Sequence, residues 1–161
     1  MRQVKQLGIV RFLSAIFVCQ LAGILGSIFT FSAITDWYAY LNKPFFSPPN
    51  WVFGPVWTIL YFLMGVSVFL IWNKGLKDPR HLKAVKLFGF QLVLNFFWTI
   101  IFFGLRSPLL AFVEIMLLWY LIFLTIKSFY PISKTASYLL VPYLAWVSFA
   151  SLLNLAIVIL N

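Results

Sequence analysis

The sequence predicts an all-α membrane protein, a single-domain bundle of five transmembrane helices, and two observations support this prediction. The 161-residue chain is 63% hydrophobic and only 9% charged, whereas soluble domains carry about 25% charged residues. A soluble fold of this size has too little interior to hide that apolar share, so the surplus must face lipid. The charged residues also divide the chain into five long, nearly uncharged stretches: 12–35, 44–73, 87–105, 107–126 and 135–161.

All five stretches are near or above the roughly 20 apolar residues that a helix needs to cross the hydrocarbon core. Only helices or closed barrels satisfy the backbone in lipid, and barrel strands would alternate apolar and polar residues over about 10 positions. The runs 66–72 and 109–126 do not alternate. We therefore predict helices at about 9–34, 51–73, 84–105, 108–129 and 134–160.

The first of these helices is predicted to be a retained span rather than a signal peptide. Its uncharged run after Arg11 extends for 24 residues, whereas the apolar region of a signal peptide has about 7–15. Small residues recur along it at intervals of four, at Ala15, Cys19, Gly23 and Ser27. Such a ridge lets another helix approach closely. The sequence leaves open whether that helix belongs to the same bundle or to a homodimer partner.

Local chemistry predicts where the later helices begin and end. Asn50 can cap the second helix. Ser107 can cap the fourth, with Pro108 at the first helical position, where a missing N–H costs nothing. Pro131 should separate the fourth helix from the fifth. Pro142 lies inside the fifth helix and should bend it.

The basic residues predict the orientation of the bundle. Ten of the 12 bases fall on one side, and the other side has only Lys43 and Arg106. The ten are Arg2, Lys5, Arg11, Lys74, Lys77, Arg80, Lys83, Lys86, Lys127 and Lys134. The positive-inside rule then places the N-terminus in the cytoplasm and the C-terminus outside. Because the bases lie in short gaps between apolar runs, we interpret the net charge of +9 as a topology signal and expect no nucleic-acid partner.

Conventional catalytic and metal-binding patterns are absent from the sequence. The chain has one cysteine and one histidine, Cys19 and His81, so it offers neither a metal cluster nor a Ser-His-Asp set, and we predict no metal and no cofactor. Glu114 is the one acid inside a predicted span. Intramembrane acids are functional candidates, but snorkelling or pairing with Arg106 is an equal alternative.

The connection at 35–50 has an unusual composition for a linker. It is aromatic, with the run Asp36-Trp37-Tyr38-Ala39-Tyr40, and it is stiffened by prolines at 44, 48 and 49. Trp and Tyr are favoured at the membrane interface, so the segment could lie there. It could equally fold over the bundle as a lid.

Three helices carry side chains that predict a shared interior site. In the third helix, two amides and two aromatic side chains share one face. In the fifth helix, a proline, a tryptophan, an alanine and an asparagine follow one another at intervals of four residues. The second helix adds Trp57 and Tyr61. These sets are Gln91, Asn95, Trp98 and Phe102 in the third helix, and Pro142, Trp146, Ala150 and Asn154 in the fifth. The amides predict either interhelical hydrogen bonds alone or such bonds plus ligand contact. Tryptophans away from the helix ends predict either core packing or an aromatic small-molecule pocket.

Three long motifs in the chain resemble those of one known family. The segment WYAYLNKPFFSPPNWVFGPVWTILY at 37–61 resembles the first loop and second helix of the translocator protein / tryptophan-rich sensory protein family. QLVLNFFWTIIFFG at 91–104 and VPYLAWVSFASLLN at 141–154 resemble its third and fifth helices. The resemblance covers nearly the whole chain in the right order. The short basic N-terminus is more similar to bacterial members than to animal ones.

The resemblance implies a five-helix bundle, often dimeric, with a pocket beneath the first loop. Family members bind porphyrins such as protoporphyrin IX and benzodiazepine-site ligands, and some bacterial members are reported to promote light-dependent porphyrin breakdown. Trp57 and Trp146 match the pocket tryptophans tied to that breakdown. Positions matching the pocket or its surroundings are Pro44, Tyr61, Gln91, Asn95, Trp98, Ala145 and Ser148. The sterol-recognition pattern of animal members, a Tyr followed by an Arg after the fifth helix, is missing from 155–161.

The function implied by this resemblance is the binding of a planar tetrapyrrole in the bilayer. Photo-oxidative degradation of the bound porphyrin is one extension, with Trp57 and Trp146 as the reacting indoles. A transporter, or a stress sensor in which the ligand acts as an effector, is the alternative. We expect the protein to reside in a bacterial cell membrane.

Overall fold

The computed structural model describes residues 2–161, with side chains from Gln6 onward, and it is a helical bundle. Its helices are α1 (Arg2–Asp36), α2 (Phe53–Trp72), α3 (Pro79–Thr99), α4 (Pro108–Phe129), α5 (Lys134–Leu139) and α6 (Val141–Leu160). A π-helical turn at Ile100–Gly104 extends α3, and short 3-10 turns lie at Tyr38–Tyr40 and Asn50–Val52. Five segments are long and apolar enough to span a membrane, with α5 and α6 together forming the fifth. The predicted all-α bundle of five transmembrane helices is confirmed, and the chain is an integral membrane protein.

The helices form a ring in which each span touches two main neighbours. α1 packs against α2 and α3, and α4 packs against α3 and α6. α2 packs against the short α5 but touches α6 only slightly. The order around the ring is therefore α1, α2, α5 with α6, α4 and α3.

The fifth span is broken at Leu140, between α5 and α6. Pro142 sits in the first turn of α6, where it has no N–H to offer the preceding helix. The bend predicted at this proline is therefore present. Because α5 stays against α2 while α6 leans away, a gap opens between α2 and α6 toward the end of the bundle where α2 begins.

The ridge of small residues on α1 packs inside the bundle. Ala15 and Cys19 are buried in the core. α2 also comes very close to this part of α1, since a side-chain carbon added at Gly65 of α2 would lie 2.7 Å from the Cα of Ile16 in α1. The ridge thus serves α1–α2 packing, and a homodimer interface would have to use another surface.

Two of the predicted caps differ from the structure. Asn50 is exposed and its side chain makes no capping bond, because the 3-10 turn at 50–52 runs directly into α2 and supplies backbone partners instead. Ser107 does occupy the cap position of α4, but its backbone carbonyl rather than its hydroxyl accepts from the Ala111 N–H, at 3.0 Å. The α3 cap is Asp78, whose carboxylate accepts from the Arg80 N–H at 2.8 Å.

Candidate functional site: a tryptophan-lined cavity

The gap between α2 and α6 is part of a cavity of about 470 Å³. Small-molecule sites typically occupy roughly 300–1,000 Å³ and are lined mainly by apolar and aromatic groups. This cavity has that character. Its aromatic walls are Phe31, Tyr38, Trp51, Phe53, Trp57, Tyr61, Trp98, Phe102, Phe103 and Trp146.

Trp57 and Trp146, one from α2 and one from α6, line the same cavity. The Trp57 ring lies 5.5 Å from that of Tyr61, one helical turn further along α2. The Trp146 ring packs edge-on against Phe53, at 5.9 Å between centroids. The indole N–H of Trp146 is inaccessible to solvent and has no hydrogen-bond partner among the described residues. A buried donor of this kind favours an acceptor from outside the chain.

The π-helical turn directs several consecutive side chains of α3 toward the cavity. The N–H of Leu105 donates to the Ile100 carbonyl at 2.8 Å, a span of five residues that widens the helix. As a result Phe102 and Phe103 both line the cavity. Trp98 stacks on Phe102 with centroids 5.1 Å apart and donates its indole N–H to Asn154 Oδ1 at 3.3 Å. This arrangement fixes one wall of the site.

The first loop folds over the end of the bundle above the cavity. Tyr38 is buried and packs on Phe102 and Phe103, with centroid distances of 6.2 and 5.7 Å. Burial raises the pKa of the Tyr38 phenol above its usual value. The ammonium group of Lys43 lies over the Tyr38 ring, 4.8 Å from its centroid. The loop packs on the bundle through Tyr38, while Tyr40 and Phe45 remain exposed. Its role as a lid or as an interfacial segment stays a prediction.

Hydrogen bonds from and to Asn42 join this loop to the end of α6. The Asn42 N–H donates to Asn161 Oδ1 at 2.9 Å, and the Asn161 amide returns a bond to the Asn42 carbonyl at 3.0 Å. The Asn42 side chain also donates to the Leu160 carbonyl at 3.3 Å. The loop is therefore held to the helix that carries Trp146.

The cavity opens sideways, between α1 and the start of α2. Six of its lining residues are exposed: Ile24 and Phe31 in α1, and Asn50, Trp51, Gly54 and Thr58 at or near the start of the second span. Phe31 and Trp51 each keep 74% of their surface accessible. Ile24, Phe31, Gly54 and Thr58 lie within the spans, where the outer surface of a bundle faces lipid, whereas Asn50 and Trp51 lie at the end of the second span. The opening therefore reaches from the lipid-facing surface to that end of the bundle.

A chain of hydrogen bonds lies behind Tyr61, in the core. The Tyr61 hydroxyl donates to Asn95 Oδ1, and the Asn95 amide donates to the Tyr143 hydroxyl at 3.0 Å. Asn95 is buried and its donor and acceptor atoms both have protein partners. It supports the cavity wall through Tyr61 and does not line the cavity.

The structure brings four of the nine predicted binding residues to the cavity surface, and five lie elsewhere. Trp57, Tyr61, Trp98 and Trp146 line it; Pro44, Gln91, Asn95, Ala145 and Ser148 do not. Gln91 is one turn from Asn95 in the core, and neither its amide oxygen nor its nitrogen has a described partner. Ser148 accepts from the Trp119 indole at 2.7 Å on the α4 side of α6. Ala145 is exposed, and Pro44 belongs to a turn in the loop. Ligand contact at these nine positions stays a prediction.

The cavity residues that sequence reasoning missed come mainly from α1. They include Gln20, Gly26 and Thr30, with Phe53 and Thr99 from α2 and α3. Their polar atoms are mostly occupied, as when Gln20 Nε2 donates to the Thr58 carbonyl at 3.0 Å. The ridge of small residues spaced four apart indicated this face of α1 in the sequence, but only as a surface for helix packing.

Glu114 does not form the ion pair considered from the sequence. Its two carboxylate oxygens are inaccessible and lack a hydrogen-bond partner among the described residues. Arg106, at the end of the π-helical turn, is exposed and has a left-handed backbone with φ of 52°. Across residues 2–161 no three metal-ligating side chains come together.

Comparison with known proteins identifies the family. The family model described as TspO/MBR family matches residues 15–160. The chain belongs to the TspO/MBR family. It is 46% identical to the tryptophan-rich protein TspO of Archaeoglobus fulgidus over 155 residues, which are 96% of this chain and 99% of the relative. It is 40% identical to the human translocator protein over 131 residues, 81% of this chain and 78% of that one.

A third TspO/MBR relative has a name that refers to tryptophan. The tryptophan-rich sensory protein of Cereibacter sphaeroides is 36% identical over 126 residues, which cover 78% of this chain and 77% of the relative. Of this chain's seven tryptophans, four line the cavity: Trp51, Trp57, Trp98 and Trp146. More than half of the chain's tryptophans thus lie at this cavity.

Proposed function

We propose that this protein binds a planar, largely apolar tetrapyrrole of the protoporphyrin IX kind in the tryptophan-lined cavity, and that benzodiazepine-site ligands use the same space. The observation that carries the proposal is that Trp57 and Trp146, from separate spans, face one cavity of about 470 Å³. Indole faces are flat and polarisable, and they suit stacking or edge contact with an aromatic ring system. The lateral opening lets an apolar ligand enter from the bilayer without crossing water.

The distribution of polar groups favours a particular ligand orientation. No lysine or arginine is among the described residues that line the cavity, and a buried carboxylate without a partner would be strongly unfavourable. The acidic edge of a porphyrin would therefore point toward the opening near Asn50 and Trp51. The free indole N–H of Trp146 would meet an acceptor on the buried part of the ligand.

Tryptophan fluorescence tests this site assignment. We expect protoporphyrin IX to quench the emission of the detergent-purified protein, with Trp57→Phe and Trp146→Phe each weakening binding by about 1 kcal/mol or more, the scale of one aromatic contact. Trp72→Phe is the matched control, because Trp72 ends α2 away from the cavity and packs near Arg11. Equal affinity in the double variant Trp57→Phe/Trp146→Phe would remove the proposed site.

Light-dependent degradation of the bound porphyrin is a second candidate function, favoured by the two indoles on one cavity. A photoexcited porphyrin can take one electron from an indole, and dioxygen can then take that electron from the porphyrin to give superoxide. The indole cation radical that remains is reduced when it takes an electron from the bound porphyrin, now back in its ground state, and the porphyrin cation radical goes on to the oxidised product. Illumination of the complex in air should bleach the porphyrin faster than in empty detergent micelles, and more slowly in Trp146→Phe. Equal rates in protein and micelles would reject this function.

Transport and sensing use the same cavity in a different way. For a transporter, ligand bound through the lateral opening would leave on the other side of the bilayer; for a sensor, it would change a contact with a regulatory partner. Uptake of porphyrin into sealed vesicles, with and without the protein, separates transport from binding alone.

The proposed setting is a bacterial cell membrane with the N-terminus in the cytoplasm. Ten of the chain's 12 bases lie on the side of the N-terminus, and bases are retained on the cytoplasmic side. Labelling of a single cysteine placed at Ser47 or at Lys77, in a Cys19→Ala background, tests the orientation: only the first should react from outside intact cells.

A further inference from the structure

The outer surface of α3 carries a second concave feature, separate from the tryptophan-lined cavity. A shallow groove of about 410 Å³ runs along the beginning of this helix. It is lined by Pro79, Leu82, Lys83, Lys86, Leu87 and Phe90. The lining combines two cations with an apolar surface, and Leu87 and Phe90 follow the two lysines along the helix. Phe90 keeps 66% of its surface exposed.

The charges around the groove leave its lysines unpaired. Asp78 is the acid nearest in sequence, and Arg80 already neutralises it through a bond of 2.8 Å to Oδ2. His81 lies 3.9 Å from the same carboxylate. Among the described residues, neither Lys83 nor Lys86 has a carboxylate within ion-pair distance. The groove therefore presents two free ammonium groups.

The order of these groups along α3 matches the order of groups in a phospholipid. The lysines are the fifth and eighth residues of α3, near the end of the span. The end of a spanning helix meets the lipid headgroups, which long basic side chains reach readily. Phe90 follows about one turn deeper, and Val93 and Phe97 continue the exposed apolar stripe toward the bilayer centre. A charged end followed by a lipid-facing apolar path is what an acyl-chain lipid requires.

We propose that this groove binds an anionic phospholipid, with the phosphate between Lys83 and Lys86 and an acyl chain along Leu87 and Phe90. Basic pockets at the headgroup level bind acidic lipids in other membrane proteins. Charge also decides against a second copy of this chain as occupant. Two copies meeting through this groove would bring four lysines together, and the groove contributes no carboxylate to offset their repulsion.

Native mass spectrometry of the intact protein tests the proposal. The protein is released from micelles containing equimolar phosphatidylglycerol and phosphatidylcholine. We expect phosphatidylglycerol adducts to exceed phosphatidylcholine adducts by about tenfold or more, since each lysine adds attraction for an anionic headgroup. Lys83→Gln/Lys86→Gln should bring the ratio close to one, and Lys83→Arg/Lys86→Arg should keep it high.

A matched control separates the groove from general electrostatic attraction. Lys74→Gln/Lys77→Gln removes the same charge from the preceding connection, outside the groove, and should leave the ratio unchanged. Equal losses in the two double variants would overturn the proposal, as would displacement of the lipid by millimolar inorganic phosphate. A dimer fraction that changes with Lys83→Gln/Lys86→Gln while the lipid ratio does not would assign the groove to self-association instead. Circular dichroism of each variant confirms that the helices are retained.

Discussion

Gly23 of α1 lies directly against the aromatic ring of Tyr61 of α2, so closely that a side-chain carbon added at Gly23 would overlap the ring. Both residues line the cavity. The glycine thus sets how near α1 comes to the cavity wall. Tyr61 in turn is held from behind by Asn95, so this one contact links helix packing, the buried hydrogen bonds and the shape of the site.

Gly23→Ala should therefore disturb both stability and binding. The added methyl group must displace the Tyr61 ring, and overpacking of this kind costs about 1–3 kcal/mol. We expect a lower thermal midpoint in detergent and weaker porphyrin quenching. Gly8→Ala is the control on the same helix, because nothing lies within 4 Å of a carbon added there. Equal midpoints for the two variants would mean that the α1–Tyr61 contact is not tight.

Asn95→Leu tests the hydrogen bonds behind the cavity. The substitution leaves the hydroxyls of Tyr61 and Tyr143 without their hydrogen-bond partner. A buried polar group without a partner lowers the free energy of unfolding by about 1–3 kcal/mol. We expect marked destabilisation in thermal melts. The triple variant Tyr61→Phe/Asn95→Leu/Tyr143→Phe removes the orphaned hydroxyls and should recover part of the loss. If the triple variant is no more stable than Asn95→Leu, the hydroxyl–amide chain does not account for the effect.

Gly54→Phe tests the lateral opening. Gly54 lines the cavity where it reaches the outer surface, and nothing lies within 4 Å of a side-chain carbon added there. The first carbon of a new side chain therefore fits there without displacing protein atoms, and a phenyl ring attached to it would narrow the opening. We expect a slower association rate for protoporphyrin IX in stopped-flow quenching, with little change in the melting midpoint. Gly89→Phe, also in open space but away from the cavity, should bind at the original rate; equal slowing in both would exclude this entrance.

The pKa of Asp78, the residue that caps the start of α3, is a measurable property of the structure. Hydrogen bonds from Arg80 hold the pKa of Asp78 at about 2. Because this pKa is depressed, the contribution of the carboxylate to the helix cap is present above about pH 4, the ordinary range of an aspartate, and is lost as pH falls toward 2. Arg80→Gln should raise the pKa of Asp78, but only in part because the backbone N–H at position 80 still donates. Titration of the carboxyl carbon by NMR reads this value directly; the same pKa in both proteins would show that the guanidinium contact is absent in solution.

Sequence reasoning predicted the spans well because lipid imposes a simple requirement of length and apolar composition. It also found the cavity tryptophans, since Trp57 and Trp146 lie away from the helix ends. It could not place Asn95 behind Tyr61 rather than in the cavity, because an amide on an inward helix face looks the same whether its partner is a tyrosine or a ligand. The π-helical turn that brings Phe102 and Phe103 to one side was also beyond reach, as it depends on how α3 packs against α1.

The contribution of α1 to the cavity shows a second limit of the sequence. Gly23 was visible only as a small residue of the ridge and Gly26 was not singled out, because a small residue is compatible both with close helix packing and with open space. Which one results depends on the partner side chain, here the Tyr61 ring beside Gly23 and Thr99 beside Gly26. The bend at Leu140 and Pro142 matters for the same reason, because it determines where α6 leaves α2 and makes room for a ligand.

The structure of the complex with protoporphyrin IX, determined in lipid nanodiscs, tests the central claim most directly. We expect a porphyrin ring inside the bundle, in van der Waals contact with both Trp57 and Trp146, and with its acidic edge toward the opening near Asn50. A porphyrin bound only on the outer surface, with both indoles packed against protein or lipid, would contradict it.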